Sequence, residues 1–141
     1  MSRKPEQLVW DSLRLKSSGK ILFQRHEDRF SAGIPDLSGV FRRVQFWCEL
    51  KHADGSKRLL LRQRQLNWML ERSTRGVDTI LLARRGPHEW AGCLVDSSTY
   101  PELIHGVDFN RLAVLGRLEV NPVELIERLL HDNSCSSCAY E

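Results

Sequence analysis

Residues 33–51, GIPDLSGVFRRVQFWCELK, decide the fold of this chain. Leu37, Gly39 and Phe41 alternate with Asp36, Ser38 and Val40, and Phe46, Cys48 and Leu50 alternate with Gln45, Trp47, Glu49 and Lys51. A period of two on both sides of Arg42-Arg43 predicts a β-hairpin. If Arg42-Arg43 form a two-residue turn, Phe41 pairs with Val44, Gly39 with Phe46 and Leu37 with Cys48, all on one face. The same register sets Asp36 opposite Glu49 on the other face, with Lys51 two residues further along. Arg-Arg is not the Asn-Gly type that such turns favour. A longer loop would shift the register, but Glu49 and Lys51 would still share a face.

Two carboxylates side by side in a sheet repel each other and are costly to keep ionised. A divalent cation between them resolves the conflict, because hard cations such as Mg²⁺ take carboxylate oxygens. Pro35-Asp36, a spacer, and Glu49-Leu50-Lys51 resemble the signature of the PD-(D/E)XK nuclease superfamily. The fuller pattern GIPD, FWCELK, LRQRQLNWML and a following Gly is similar to stand-alone VRR-NUC and Holliday-junction-resolvase-like members common in phages. The resemblance covers roughly residues 6–84.

That resemblance implies a restriction-endonuclease-like α/β core and a Mg²⁺-dependent DNA endonuclease in which Mn²⁺ substitutes. It implies that Asp36, Glu49 and the backbone carbonyl of Leu50 hold the metal, with Glu6 on the first helix as a further acidic group. Lys51 would orient the attacking water or stabilise transition-state charge, and Gln65 would position Lys51 or a phosphate oxygen. In-line displacement would leave a 5′-phosphate and a 3′-hydroxyl.

A length of 141 residues suits one domain with one core. We expect that domain over 1–131 and a polar, disordered tail over 132–141. No apolar run is long enough to span a membrane, and no apolar signal segment follows Met1. The expected compartment is the cytoplasm of a prokaryotic or phage-infected cell. The net charge of +3 hides an asymmetry: residues 1–41 carry +2, residues 42–85 carry +7 and residues 86–141 carry −6. Positive charge is therefore concentrated beside the Asp/Glu/Lys cluster, where a polyanion would dock. Arg25, Arg29, Arg42, Arg43, Lys57, Arg58, Arg62 and Arg64 are the candidate DNA contacts. Cys48 and Cys93 fall in apolar strands and read as reduced core residues. His131, Cys135 and Cys138 supply three potential zinc ligands, one short of a closed structural site.

Along the chain, Pro5 suits a first helical position, and Glu6–Lys16 reads as a helix burying Val9, Trp10 and Leu13, supported by Leu8. Glu6 is either a first-turn carboxylate favoured by the helix dipole or a third acidic group of the site. Ile21–Arg25 reads as a short strand, and His26, in the polar loop that follows, reads as a surface histidine, with a phosphate contact beside Arg25 and Arg29 as the alternative. In that loop Glu27 reads as pairing with an adjacent Arg, with a place beside the metal site as the alternative. A helix is expected from Leu60 to Thr74, closed by Gly76, with Leu66, Met69 and Leu70 inward and Trp68 a core or boundary aromatic. Strands are expected at 77–84 and 89–95, and helices at 97–104 and 123–130. Ile80-Leu81-Leu82 is the continuous apolar run of a strand covered on both faces.

The order of elements predicts a mixed β-sheet flanked by helices. The functional expectation is a structure-selective nuclease for branched or junction DNA, acting as a homodimer. Alternative readings are a catalytically inactive DNA-binding module of the same fold, a simple nicking or end-processing nuclease, and a partner-binding subunit using the acidic last third.

Overall fold

A computed structural model describes residues 5–26, 33–55 and 57–138, with side chains described through His131. Six strands form one sheet in the order β1-β2-β3-β4-β5-β6. They are β1 Leu22–Arg25, β2 Leu37–Phe41, β3 Val44–His52, β4 Asp78–Arg85, β5 Glu89–Leu94 and β6 Arg117–Glu119. The helices are α1 Pro5–Ser17, α2 Gln63–Thr74, α3 Tyr100–Leu103, α4 Phe109–Leu115 and α5 Pro122–Cys138. β1, β2 and β3 form an antiparallel meander, while the α2 crossover makes β3 and β4 parallel. β5 and β6 then add in antiparallel sense. This is the expected α/β arrangement, a mixed sheet with helices on both faces. Among the described residues no helix is long and apolar enough to cross a membrane.

The hairpin has the expected register: Phe41 pairs with Val44, Gly39 with Phe46 and Leu37 with Cys48. Arg42 and Arg43 do form the two-residue turn, at φ 48° and 72°. Two positive φ values are what a hairpin turn of this hand demands, and they cost a residue with a Cβ about 1–2 kcal/mol. Burial of Leu37, Phe46 and Cys48 sets the register and outweighs that cost. Gly39 leaves room for Phe46, whose ring would lie 2.6 Å from a Cβ there.

Alternation along β3 divides the molecule into two layers. Phe46, Cys48 and Leu50 join Val9 and Leu13 of α1, Ile80 and Leu82 of β4, Trp90, and Leu125 and Ile126 of α5 in one core. On the opposite face Leu81, Ala83, Ala91 and Cys93 pack under Leu66 and Met69 of α2, with Leu103, Phe109 and Leu112 closing the far side. β4 is thus covered on both faces, as its apolar run requires. Cys48 and Cys93 are buried and unpaired.

Several expectations are corrected. Leu8 does not support the buried stripe of α1; it is 47% exposed. α2 begins at Gln63, because Leu59 is drawn instead into a bridge with Val107 and Leu60 turns outward. α4 and β6 were not expected, although Asp108 is a readable N-cap and accepts a hydrogen bond from the Arg111 N–H at 2.7 Å. α5 runs through Cys138, eight residues past its expected end at Leu130 and into the expected tail. Residues 96–131, left without a role by sequence, complete the cover that α1 and α2 begin on the two sheet faces and supply the edge strand.

Candidate active site

Asp36 and Glu49 meet where β2 gives way to the incoming loop. The Asp36 backbone N–H donates to Glu49 Oε1 at 3.1 Å, and the Leu50 N–H donates to Asp36 Oδ2 at 3.2 Å. These two bonds cross-link the loop and β3 and hold the carboxylates side by side. A strand residue directs its N–H and C=O to the same edge, so the Leu50 carbonyl faces the Asp36 side, where β2 begins only at Leu37. Lys51, on the same face of β3 as Glu49, sets its Nζ 3.6 Å from Glu49 Oε2. Glu49 is 3% exposed, the only buried charged residue among those described.

The electrostatics follow from that burial. Burial raises the Asp36 carboxyl above its usual range, opposed first by the Leu50 N–H and then by Lys51, while Glu6 adds to the rise. Burial and then the Asp36 charge push Glu49 up to about 7, against the pull of Lys51, the Asp36 N–H and Gln65. Cys48, beneath them, has its thiol pushed well up by burial and by both carboxylates.

Gln65 reaches this pair from the first turn of α2. Its Oε1 accepts from the Arg62 N–H at 3.4 Å, which leaves its amide hydrogens to donate to the Glu49 carboxylate. Gly33 makes this approach possible. It sits at φ +102°, and a Cβ there would lie 2.8 Å from the Arg64 carbonyl oxygen and 3.4 Å from Trp68 Cβ. Only glycine lets the loop carrying Pro35-Asp36 lie directly on α2. Glu6, at the exposed start of α1, comes from the opposite sheet face, and its charge is felt at Asp36.

Asp36, Glu49, Lys51, Gln65 and the Leu50 backbone are therefore brought together, with Glu6 at the margin. Arg62 and Arg64 flank Gln65 and are exposed. The other candidate DNA contacts are dispersed. Arg25 lies on the α1 face, 6.0 Å from the Trp10 ring centroid. Arg42 bonds Glu127 of α5 at 2.8 Å. It and Arg43 sit at the far end of the hairpin, roughly 20 Å of strand from Asp36. Lys57 is 3.8 Å from Asp54, and Arg58 donates to the His105 carbonyl at 3.1 Å. Arg29 and Glu27 lie outside the described residues, as do the side chains of Cys135 and Cys138.

Sequence reasoning read His26 as a surface histidine and missed its packing on the sheet. Its Nε2 is 2.8 Å from Ser38 Oγ, and its ring lies 4.9 Å from that of Trp47. The readable signal was Trp47, which shares its strand face with Glu49.

Among the described residues, no three His, Cys, Asp or Glu side chains are grouped so as to hold an ion by themselves. The donors present are two carboxylates and a strand carbonyl. That set fits Mg²⁺, which is commonly bound through one or two carboxylates with water and substrate phosphate completing its shell. The raised Glu49 also marks a pair that is unfavourable in its fully ionised form unless a cation compensates.

No protein-family model matches this chain, and no curated protein matches it. Among solved structures it is similar to that of Hjc, a Holliday junction resolvase from the archaeal hyperthermophile Archaeoglobus fulgidus. The two share 14% sequence identity at a TM-score of 0.48, over 77% of this chain and 97% of that one. At that level the likeness transfers no residue role.

Proposed function

We propose that this chain is a metal-dependent DNA endonuclease of the PD-(D/E)XK type. The observation that carries the reading is the half-buried Asp36 held against the buried Glu49, with Lys51 Nζ 3.6 Å from Glu49 Oε2. A structural ion pair needs one carboxylate per lysine; a second, partly desolvated carboxylate only adds cost unless a cation binds. Asp36, Glu49 and the Leu50 carbonyl hold the cation, with Glu6 contributing charge from outside. When bound, Mg²⁺, or Mn²⁺ in its place, supplies Lewis acidity and an activated water at this position. Lys51 holds the attacking water or the phosphate oxygen that gains charge. Gln65 fixes the Glu49 carboxylate, and through it the position of Lys51. The products are a 5′-phosphate and a 3′-hydroxyl.

The finer reading is selectivity for branched or junction DNA by a homodimer. The described helices and strands are consumed by one sheet and its two cores, and none extends from that body as an element dedicated to a major groove. The exposed Arg62 and Arg64 suit phosphates, which position DNA without specifying sequence. One site per chain makes paired cuts the work of two copies, most simply about a twofold axis. The experiment is a Mg²⁺ titration of plasmid nicking, followed by a four-way junction, a flap and a linear duplex of matched sequence. Mg²⁺-dependent cleavage that favours the branched substrates is expected. Absence of cleavage at any Mg²⁺ or Mn²⁺ concentration, with DNA binding retained, would leave the inactive binding module.

A further inference from the structure

The face of the sheet that carries Glu49 is covered unevenly. α2 packs over β4 and reaches β3 through Trp68 on Trp47, whereas the same face of β1 and β2 stays open at Leu22 and Val40. The cross-strand rows there are Leu22–Val40–Gln45, then Gln24–Ser38–Trp47, then the carboxylate row. Leu22 is 76% exposed and Val40 is 41% exposed. Neither of the first two rows contains an acidic side chain, so this platform leads to the carboxylates without repelling a polyanion.

The middle row holds an aromatic ladder. The His26 ring lies on Trp47 at 4.9 Å with the planes inclined by 36°, and Trp47 meets Trp68 edge-on at 4.9 Å and 78°. The Arg72 guanidinium covers the Trp68 ring at 3.7 Å. Trp47 and Trp68 are half-buried, in contrast to Trp90, which is fully buried. Leu66, Met69, Leu81 and Cys93 already fill the core beneath α2. Trp68 packs against the margin of that core, and the ladder runs outward from it through Trp47, with polar groups at both ends. Trp47 is two residues from Glu49 on one strand face, a separation of about 7 Å.

We propose that this open face binds an unpaired nucleotide of the DNA substrate, its base stacked on Trp47 and its backbone leading to Asp36 and Glu49. An open sheet face bearing aromatics is a general way to hold unstacked bases. The assignment rests on the nuclease reading and narrows its substrate to a strand that is unpaired next to the cut. A paired duplex cannot present a base face to a flat sheet, whereas a bulge, a flap base or a junction arm can.

The test measures binding without divalent metal, so it does not depend on catalysis. Duplexes of one sequence are compared, fully paired or with a single bulged 2-aminopurine, by fluorescence and by titration. Wild-type protein is expected to quench the bulged base and to bind that duplex about tenfold tighter, equivalent to about 1.4 kcal/mol. Trp47→Leu should lose that preference while binding paired duplex unchanged, and Trp47→Phe should keep most of it. Leu22→Glu, at an exposed position, tests the face even if Trp47→Leu fails to fold; unchanged binding of the bulged duplex overturns the proposal. So does the absence of any preference in the wild type, or a loss in Trp47→Leu that is equal for both duplexes. Conversion of a dimer to a monomer by Leu22→Glu would overturn it too, marking the face as a contact between copies. Bulge binding without cleavage in Mg²⁺ defeats the nuclease reading alone; cleavage without bulge preference defeats this one alone.

Discussion

Glu49→Gln should make the metal-free protein more stable, and only at neutral and alkaline pH. Glu49 titrates near an ordinary 4.5 when unfolded and is pushed up to about 7 in the fold. At about 1.4 kcal/mol per pH unit, this difference corresponds to about 3 kcal/mol. The sign follows from proton binding. Below about pH 4.5 the carboxyl is protonated in both states and contributes nothing. Between 4.5 and 7 the unfolded chain gives up its proton first, so the wild type loses stability as pH rises. Above 7 the full cost is present. Glutamine keeps the shape, accepts from the Asp36 N–H as Glu49 Oε1 does at 3.1 Å, and can donate to the Asp36 carboxylate. The attraction to Lys51 at 3.6 Å is already contained in that raised value and takes nothing further back. The gain at pH 8 is therefore about 3 kcal/mol, fading to nothing at about pH 4.5. Urea denaturation in EDTA at both pH values measures it. Adding Mg²⁺ at pH 8 should then raise wild-type stability and leave the variant unmoved, since a ligand stabilises only the state that binds it. A variant no more stable than wild type at pH 8, or a difference independent of pH, would refute the reasoning.

Asp36→Asn should abolish nicking while DNA binding holds or tightens, because a carboxylate facing phosphate is removed; full activity would sink the site. Lys51→Ala should lower kcat at least a hundredfold with little change in DNA affinity, as expected of a group that acts in the transition state. Glu6→Gln should reduce cleavage more at limiting than at saturating Mg²⁺, and a uniform reduction at all concentrations would leave only a helix-dipole role. Arg43→Gly should stabilise the fold by about 1 kcal/mol in urea, by relieving a positive φ of 72° while keeping the Arg42–Glu127 bond.

The hairpin was legible because two independent signals agreed. The apolar alternation of Leu37, Gly39 and Phe41 against Phe46, Cys48 and Leu50 selects one register, and the polar alternation places Asp36 by Glu49 in the same register. The turn chemistry disagreed and lost: a slip of one residue would expose Phe46 and Cys48, both fully buried. Gly33 was legible as a motif glycine, but its reason, the carbonyl of Arg64 lying where a Cβ would be, needs the packed α2. β6 was illegible because three residues, Arg117–Glu119, contain too little alternation to distinguish a strand from a loop. α5 was cut short because Asp132, Asn133 and Ser134 look like a tail, whereas helix geometry propagates through polar residues once its apolar face is docked. His26 needed the sheet, since only the β1–β2 pairing brings it to Ser38 and Trp47.

The cost of the Asp36–Glu49 pair also explains how the surrounding sequence is used. Each group touching the pair lowers the energy of its charged form: the Leu50 and Asp36 N–H groups, the Lys51 ammonium and the Gln65 amide. None of them neutralises it, since Glu49 still rests near 7. A sheet selected for stability alone would place apolar side chains here, as it does one pair further into β4 at Leu81. Keeping the pair makes the metal-free fold less stable at neutral pH, a deficit that a cation would offset under the proposed function. Binding and stability would then be one linked equilibrium, so a urea midpoint that rises with Mg²⁺ at pH 8 would report the affinity of the site without any cleavage being seen, and a midpoint that does not move would refute the metal reading.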